Sequence, residues 1–135
     1  MGYRRKSREL ALQALYQAEI TETEPLDGFE LLCDNFRIDQ KVMPLAHTLL
    51  AGIAEHKSEI DARISQHAKN WRVGRMSIID RNLLRLGVYE VLYREDVPDT
   101  VAINEAIEIA KRYSTDDAPS FINGILDAIR NGQSQ

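Results

Sequence analysis

Residues 78–95 read IIDRNLLRLGVYEVLYRE. Ile79, Leu83, Leu86 and the apolar cluster from Val88 to Leu92 predict an unusually hydrophobic helix, the candidate for the centre of the core. Ser77 followed three residues later by Asp80 marks its start, in the manner of a capping box. Asp96, Pro98 and Asp99 then break the pattern.

Working upstream, Ser58 and Asp61 repeat that start signal, and Ile60, Ile64, Ala68 and Trp71 form one face of a helix that ends near Gly74. Before it, Asp39 is placed to cap a helix whose Val42, Leu45, Ala46, Leu49 and Ile53 face inward, with Pro44 blurring its start. Phe29, Leu32, Cys33 and Phe36 carry the same stripe. The first helix runs roughly from Ser7 to Ile20, on Ala11, Ala14, Leu15 and Ala18.

Downstream, Ala102, Ala106, Ile107, Ala110 and Tyr113 resume the pattern, with Asp99 or Thr100 as cap. Asp116 or Asp117 caps the last helix, Pro119 suits its first turn, and Phe121, Ile122, Ile125, Leu126 and Ile129 give its apolar stripe. About seven helices with short connections and no convincing alternating strand predict an all-α bundle, a single domain of sub-bundles spanning about 1–57 and 58–135.

Composition agrees with that class. An apolar share of 44% and a charged share of 28% are those of globular chains, and 135 residues suffice to bury a core without staples. Cys33 is the only cysteine, so no intramolecular disulfide forms and a small buried hydrophobe is its expected role. The start, MGYRRKSREL, lacks the apolar stretch of a signal peptide and no run approaches a membrane span, so a cytoplasmic address is expected. A net charge of -4 means that any nucleic-acid footprint is local.

The sharpest local feature is Arg4, Arg5, Lys6 and Arg8, upstream of the apolar stripe and so not required by the core. Arginine and lysine reach phosphates, and arginine also stacks on splayed bases, which suits single-stranded RNA; Tyr3 and Tyr16 are aromatic neighbours. Taken alone, such a run more often marks a solvated terminus. Asp116 and Asp117 are most simply caps, though a carboxylate also accepts from a base amino group. Asn104, Glu105, Asn123 and Gly124 stand in apolar helices, where they bond to backbone or permit close packing. Arg75, Arg81, Arg85 and Arg94 add positive charge around the long helix. His47, His56 and His67 lack metal-ligand spacing, and no nucleophile elbow, phosphate loop or dinucleotide glycine pattern occurs, so neither metal, cofactor nor catalytic residue is expected.

Three blocks, RRKSRELALQALYQ (4–17), DRNLLRLGVYEVLYREDVPDTVAINEAIEIAKRY (80–113) and FINGILD (121–127), resemble the NusB family in order and spacing across nearly the whole chain. The second block, with LRL, YE, VP and AINEA in succession, is the specific one; residues 21–57 match only in helical pattern. The resemblance implies an all-helical fold of two small bundles and a non-enzymatic transcription antitermination factor. Such a factor binds the boxA element of nascent rRNA leaders together with ribosomal protein S10, in a complex with RNA polymerase and other Nus factors. Carried onto this chain, it implies RNA contacts at Arg4, Arg5, Lys6, Arg8 and Tyr16, and at Asp117, Phe121 and Asn123. S10 is expected on the exposed side of the second-half helices, where Glu90, Glu95 and Glu105 suit a basic partner.

Some family members are thought to self-associate, so a homodimer is a further expectation. RNA cytosine methyltransferases that carry a domain of this fold need a long cofactor-binding domain that 135 residues cannot hold. A helix-turn-helix regulator is disfavoured because the basic residues cluster at the chain start rather than along a recognition helix.

Overall fold

The computed structural model describes residues 2–68 and 72–133. Its helices are α1 (Gly2–Thr21), α2 (Pro25–Asn35), α3 (Met43–His67), a short 3-10 turn (Val73–Arg75), α4 (Ile78–Tyr93), α5 (Asp99–Tyr113) and α6 (Ala118–Gln133). The described residues contain no strand. The chain is therefore all-α, with six α-helices among the described residues where about seven were expected.

The difference lies in α3. The two helices read around Asp39 and Ser58 are two segments of α3 that meet at a kink at His56, whose φ of -112° and ψ of 16° leave the helical region. Ser58 and Asp61 lie two and five residues beyond that kink, at the start of the second segment of α3. Asp39 forms a turn ahead of it, its Oδ1 accepting from the Lys41 amide at 2.9 Å and its carbonyl from the Val42 amide at 3.0 Å. Pro44 then occupies the first turn of α3, where its missing N–H costs nothing. Trp71, read as part of the inward face here, lies outside the described residues.

The chain divides into two compact units, Met1–Glu55 and His56–Gln135. In the first, α1 packs on α2, and Leu10, Ala11, Ala14, Leu15, Ala18, Phe29, Leu32, Ala46, Leu49 and Ile53 are buried. The Phe29 ring meets the His47 ring at a centroid distance of 6.1 Å. Phe36, expected inside, is 63% exposed: it is the C-cap of α2, in extended conformation, where the helical stripe no longer directs its side chain. Cys33 is only half-buried, and burial together with Asp34 raises its thiol pKa.

In the second unit α4, α5 and α6 pack against one another. Every residue of α4 from Asn82 to Val91 is buried, which makes it the central helix its sequence predicts. Ser77 caps it, its hydroxyl accepting from the Asp80 amide at 3.1 Å, a bond worth roughly 1 kcal/mol. Helix α5 starts after Pro98, with Asp99 in its first turn rather than at the cap. Tyr113, at the other end of α5, is 45% exposed instead of inward. The close packing expected of Gly124 occurs at Gly87: a Cβ there would lie 2.7 Å from Leu126 Cδ1, whereas one on Gly124 would meet nothing within 4 Å.

Candidate nucleic-acid interface

Helix α1 starts at Gly2, several residues earlier than its apolar stripe indicates, so the basic cluster rides on its first two turns. Arg4 and Lys6 are exposed and Arg5 is half-buried. Ser7 is buried and donates its hydroxyl to the Tyr3 carbonyl at 2.7 Å, tying the first turn down. Arg8 departs from the sequence expectation. It is only 4% exposed and engages other residues of the chain, so it belongs to the interior as much as to any ligand.

The first turn of α1 has no acidic residue, and Arg4 and Lys6 sit at the end of the helix where its amides leave a partial positive charge. That arrangement is unfavourable by itself and is relieved by an anion. Tyr3 and Tyr16 add aromatic surface, 44% and 42% exposed.

The second unit carries a cleft of about 340 Å³ lined by Arg75, Met76, Ser77, Asp80, Thr115, Asp117, Ala118 and Phe121. One wall is the start of α4 with the 3-10 turn before it; the other is the start of α6. Ser114 joins them, donating its hydroxyl to Asp80 Oδ1 at 2.6 Å. Asp117 is exposed, and its carbonyl accepts the Phe121 amide at 3.2 Å, which sets the first turn of α6. Asp117 and Phe121 thus share one cleft. Asn123 is exposed but does not line it.

Arginines that the sequence grouped together separate by role. Arg81 Nη1 donates to the Met76 carbonyl at 2.7 Å, bracing the chain ahead of α4. Arg94 is clamped by Asp96, Nε to Oδ1 at 3.0 Å and Nη2 to Oδ2 at 2.8 Å. Arg85 is buried and holds Asp61. Arg75 is exposed and lines the cleft, a position that the sequence left undistinguished from the others. Nothing in the local spacing could single it out, because the cleft is closed by residues some forty positions downstream.

Of the three acidic residues read as a surface for a basic partner, Glu95 is exposed and Glu105 half-buried. Glu90 is corrected: at 1% exposure on the all-buried α4 its carboxylate cannot meet a partner. Asn104, read as an interior polar residue, is exposed. Sequence also missed an aromatic stack in this unit, where the His56 ring lies 4.0 Å from the Tyr93 ring at 13° and the Tyr93 hydroxyl donates to Glu59. No group of three or more His, Cys, Asp or Glu side chains suited to a metal occurs among the described residues, and no helix is long and apolar enough to cross a membrane.

The NusB family pattern matches residues 5–131. The chain belongs to the NusB family. A NusB relative from Desulforapulum autotrophicum, named transcription antitermination protein NusB, is 45% identical over 132 residues, covering 96% of this chain and 92% of its own. Among solved structures, T. maritima NusB superposes with a TM-score of 0.87 at 41% identity, covering 95% of this chain and 90% of its own. A crystal structure of antitermination factors NusB and NusE in complex with dsRNA superposes with a TM-score of 0.85 at 27% identity, covering 98% of each chain. NusB is a family of non-enzymes, which agrees with the lack of catalytic motifs in the sequence.

Proposed function

We propose that this chain is a transcription antitermination factor that binds the boxA element of nascent rRNA leader RNA together with NusE, ribosomal protein S10. The observation that carries the reading is the match over nearly the full length of a NusB solved with NusE and RNA. The exposed Arg4 and Lys6 at the positive end of α1 support it from the chain's own chemistry, since phosphates relieve the charge gathered there.

In this reading Arg4, Arg5 and Lys6 hold the RNA backbone and Tyr16 offers a stacking surface, with Arg8 fixing the helix beneath them. Phe121 and Asp117 engage unstacked bases, the carboxylate accepting from an exocyclic amino group, and Asn123 adds a donor and an acceptor nearby. S10 docks through Glu95 and Glu105. RNA polymerase and the other Nus factors complete the complex, which acts in the cytoplasm, and a homodimer is the competing state when RNA is absent. No bond is made or broken.

Binding of a fluorescent single-stranded boxA-type RNA, with and without S10, tests the reading against a duplex of the same sequence. Tighter binding to the single strand, strengthened by S10 and weakened in an Arg4→Ala, Lys6→Ala variant that retains its helical signal, is expected. Equal, weak binding to every RNA, indifferent to S10, would overturn it.

A further inference from the structure

Between Arg8 and Arg37 the sequence holds seven carboxylates and no Lys, Arg or His. The whole chain carries only -4, so the remainder is net positive and this stretch concentrates the negative charge. Helix α2 displays it. Asp27, Glu30, Leu31 and Asp34 follow one another at i, i+3, i+4 and i+7, which sets them on one face, and all four are exposed. Phe29 and Leu32, on the opposite face, are buried. Leu31 at 61% and Phe36 at 63% are the two most exposed large hydrophobic side chains among the described residues, and Phe36 is the C-cap of this same helix. One exposed apolar residue calls for no explanation. Two at the end of one helix, among carboxylates and with no cation between Arg8 and Arg37, give a surface of defined chemistry.

That chemistry narrows the occupant. RNA and anionic lipid head groups are repelled by the charge. A neutral apolar surface would cover Leu31 and Phe36 but desolvate the carboxylates beside them without compensation. A cationic amphipathic helix meets both demands. We propose that the outer face of α2 docks such a helix from a protein partner, its apolar side chains over Leu31 and Phe36 and its Lys or Arg side chains on Asp27, Glu30 and Asp34. None of these residues is among those given above to RNA or to S10, and the inference stands without either. The face is formed in advance: Pro25 starts α2, and the Phe36 amide closes it on the Leu32 carbonyl at 3.0 Å, so a partner meets an ordered helix.

The probe is a fluorescent helical peptide of lysine and leucine only, and its affinity for the full chain is measured by anisotropy at several salt concentrations. Three variants, each checked for helical content, separate the contributions. Leu31→Ser is expected to weaken binding on the order of tenfold, the loss of one buried leucine contact. Glu30→Gln, Asp34→Asn is expected to weaken it and to reduce its salt dependence. Glu108→Gln, Asp127→Asn changes the net charge equally but lies on α5 and α6, and should leave the affinity near that of the parent. All five side chains are at least partly exposed, so the variants keep the fold. If the parent does not bind the peptide, or if both charge variants weaken it alike, the docking face is overturned. Displacement of the peptide by S10 would overturn it too and give the face to that protein. Self-association of the parent that is lost in Leu31→Ser would likewise overturn it, in favour of a second copy of this chain.

Discussion

Arg85, on the central helix α4, lays its guanidinium along the Asp61 carboxylate of α3, Nε to Oδ1 at 2.8 Å and Nη2 to Oδ2 at 3.0 Å. The third nitrogen, Nη1, donates to Asn82 Oδ1 at 3.0 Å, and Asn82 in turn donates to the Ile78 carbonyl at 2.8 Å. The Arg85 side chain is only 9% exposed, and Asp61 takes two of its three nitrogens.

Asp61→Ala therefore removes a bidentate carboxylate from a buried cation. Breaking such a pair from one side costs about 3–5 kcal/mol when fully buried, and because Asp61 is 28% exposed a loss of about 2–3 kcal/mol is expected. Urea unfolding checks it: the midpoint drops at unchanged slope. A midpoint equal to that of the parent would mean that the pair contributes nothing.

Gly87 and Leu126 make a second test of packing. Alanine at 87 gains about 1 kcal/mol of helix propensity, but its Cβ would lie 2.7 Å from Leu126 Cδ1 and 3.0 Å from Cδ2, and Leu126 is fully buried. With both methyl groups crowded, overpacking of about 1–3 kcal/mol outweighs the gain. Gly87→Ala is expected to destabilise, and in the Gly87→Ala, Leu126→Ala double variant the added methyl should partly fill the space, so the two losses sum to less than their separate values. Strict additivity in thermal unfolding would contradict the contact.

Tyr93 gives a pH signature. Desolvation foremost, then the hydrogen bond to Glu59 and that residue's negative charge, push its pKa up to about 12, against a smaller opposing effect of Arg63. A phenol whose pKa is raised on folding contributes stability that is fully present below the unfolded value near 10 and is lost as pH rises through the folded value. Ultraviolet titration should show Tyr93 ionising late, and Tyr93→Phe should abolish that late step and the accompanying alkaline loss of stability. A late step that persists in Tyr93→Phe assigns the shift elsewhere.

Ser114 holds Asp80 from the segment between α5 and α6, and so sets the distance between the cleft walls. Ser114→Ala should cost about 1–2 kcal/mol of stability, a hydrogen bond to a charged acceptor, and weaken RNA binding with no change in its salt slope. Ser114→Thr keeps the hydroxyl and should restore most of the affinity. Failure of threonine to restore it, at normal stability, would show that the hydroxyl does not position the cleft.

Much of the fold is legible along the chain because helix formation is local. The buried α4, its Ser77 cap and the stripe of α6 follow from side-chain spacing that repeats every three to four residues. Spacing found the boundary near His56 but not its form, because a kink and a helix end look alike when Ser58 and Asp61 follow in the pattern of a start signal. It also placed Arg8 among solvent-facing cations, since charge predicts exposure only where the fold does not cover the side chain. The candidate site was half legible: Asp117 and Phe121 stand together in sequence, whereas Arg75 joins them only through the fold.

What the sequence by itself determined is the all-α class, the central position of α4, and the family, whose motifs are runs of consecutive residues. Tertiary structure alone decided that Asp61 serves Arg85 across 24 positions, that Ser114 reaches Asp80 across 34, and that Gly87 rather than Gly124 admits a neighbouring helix. The reason is one of range. Periodicity and capping act within a turn or two of helix, but which charge is buried and which glycine is crowded depend on the helix packed opposite, and no local pattern encodes that surface.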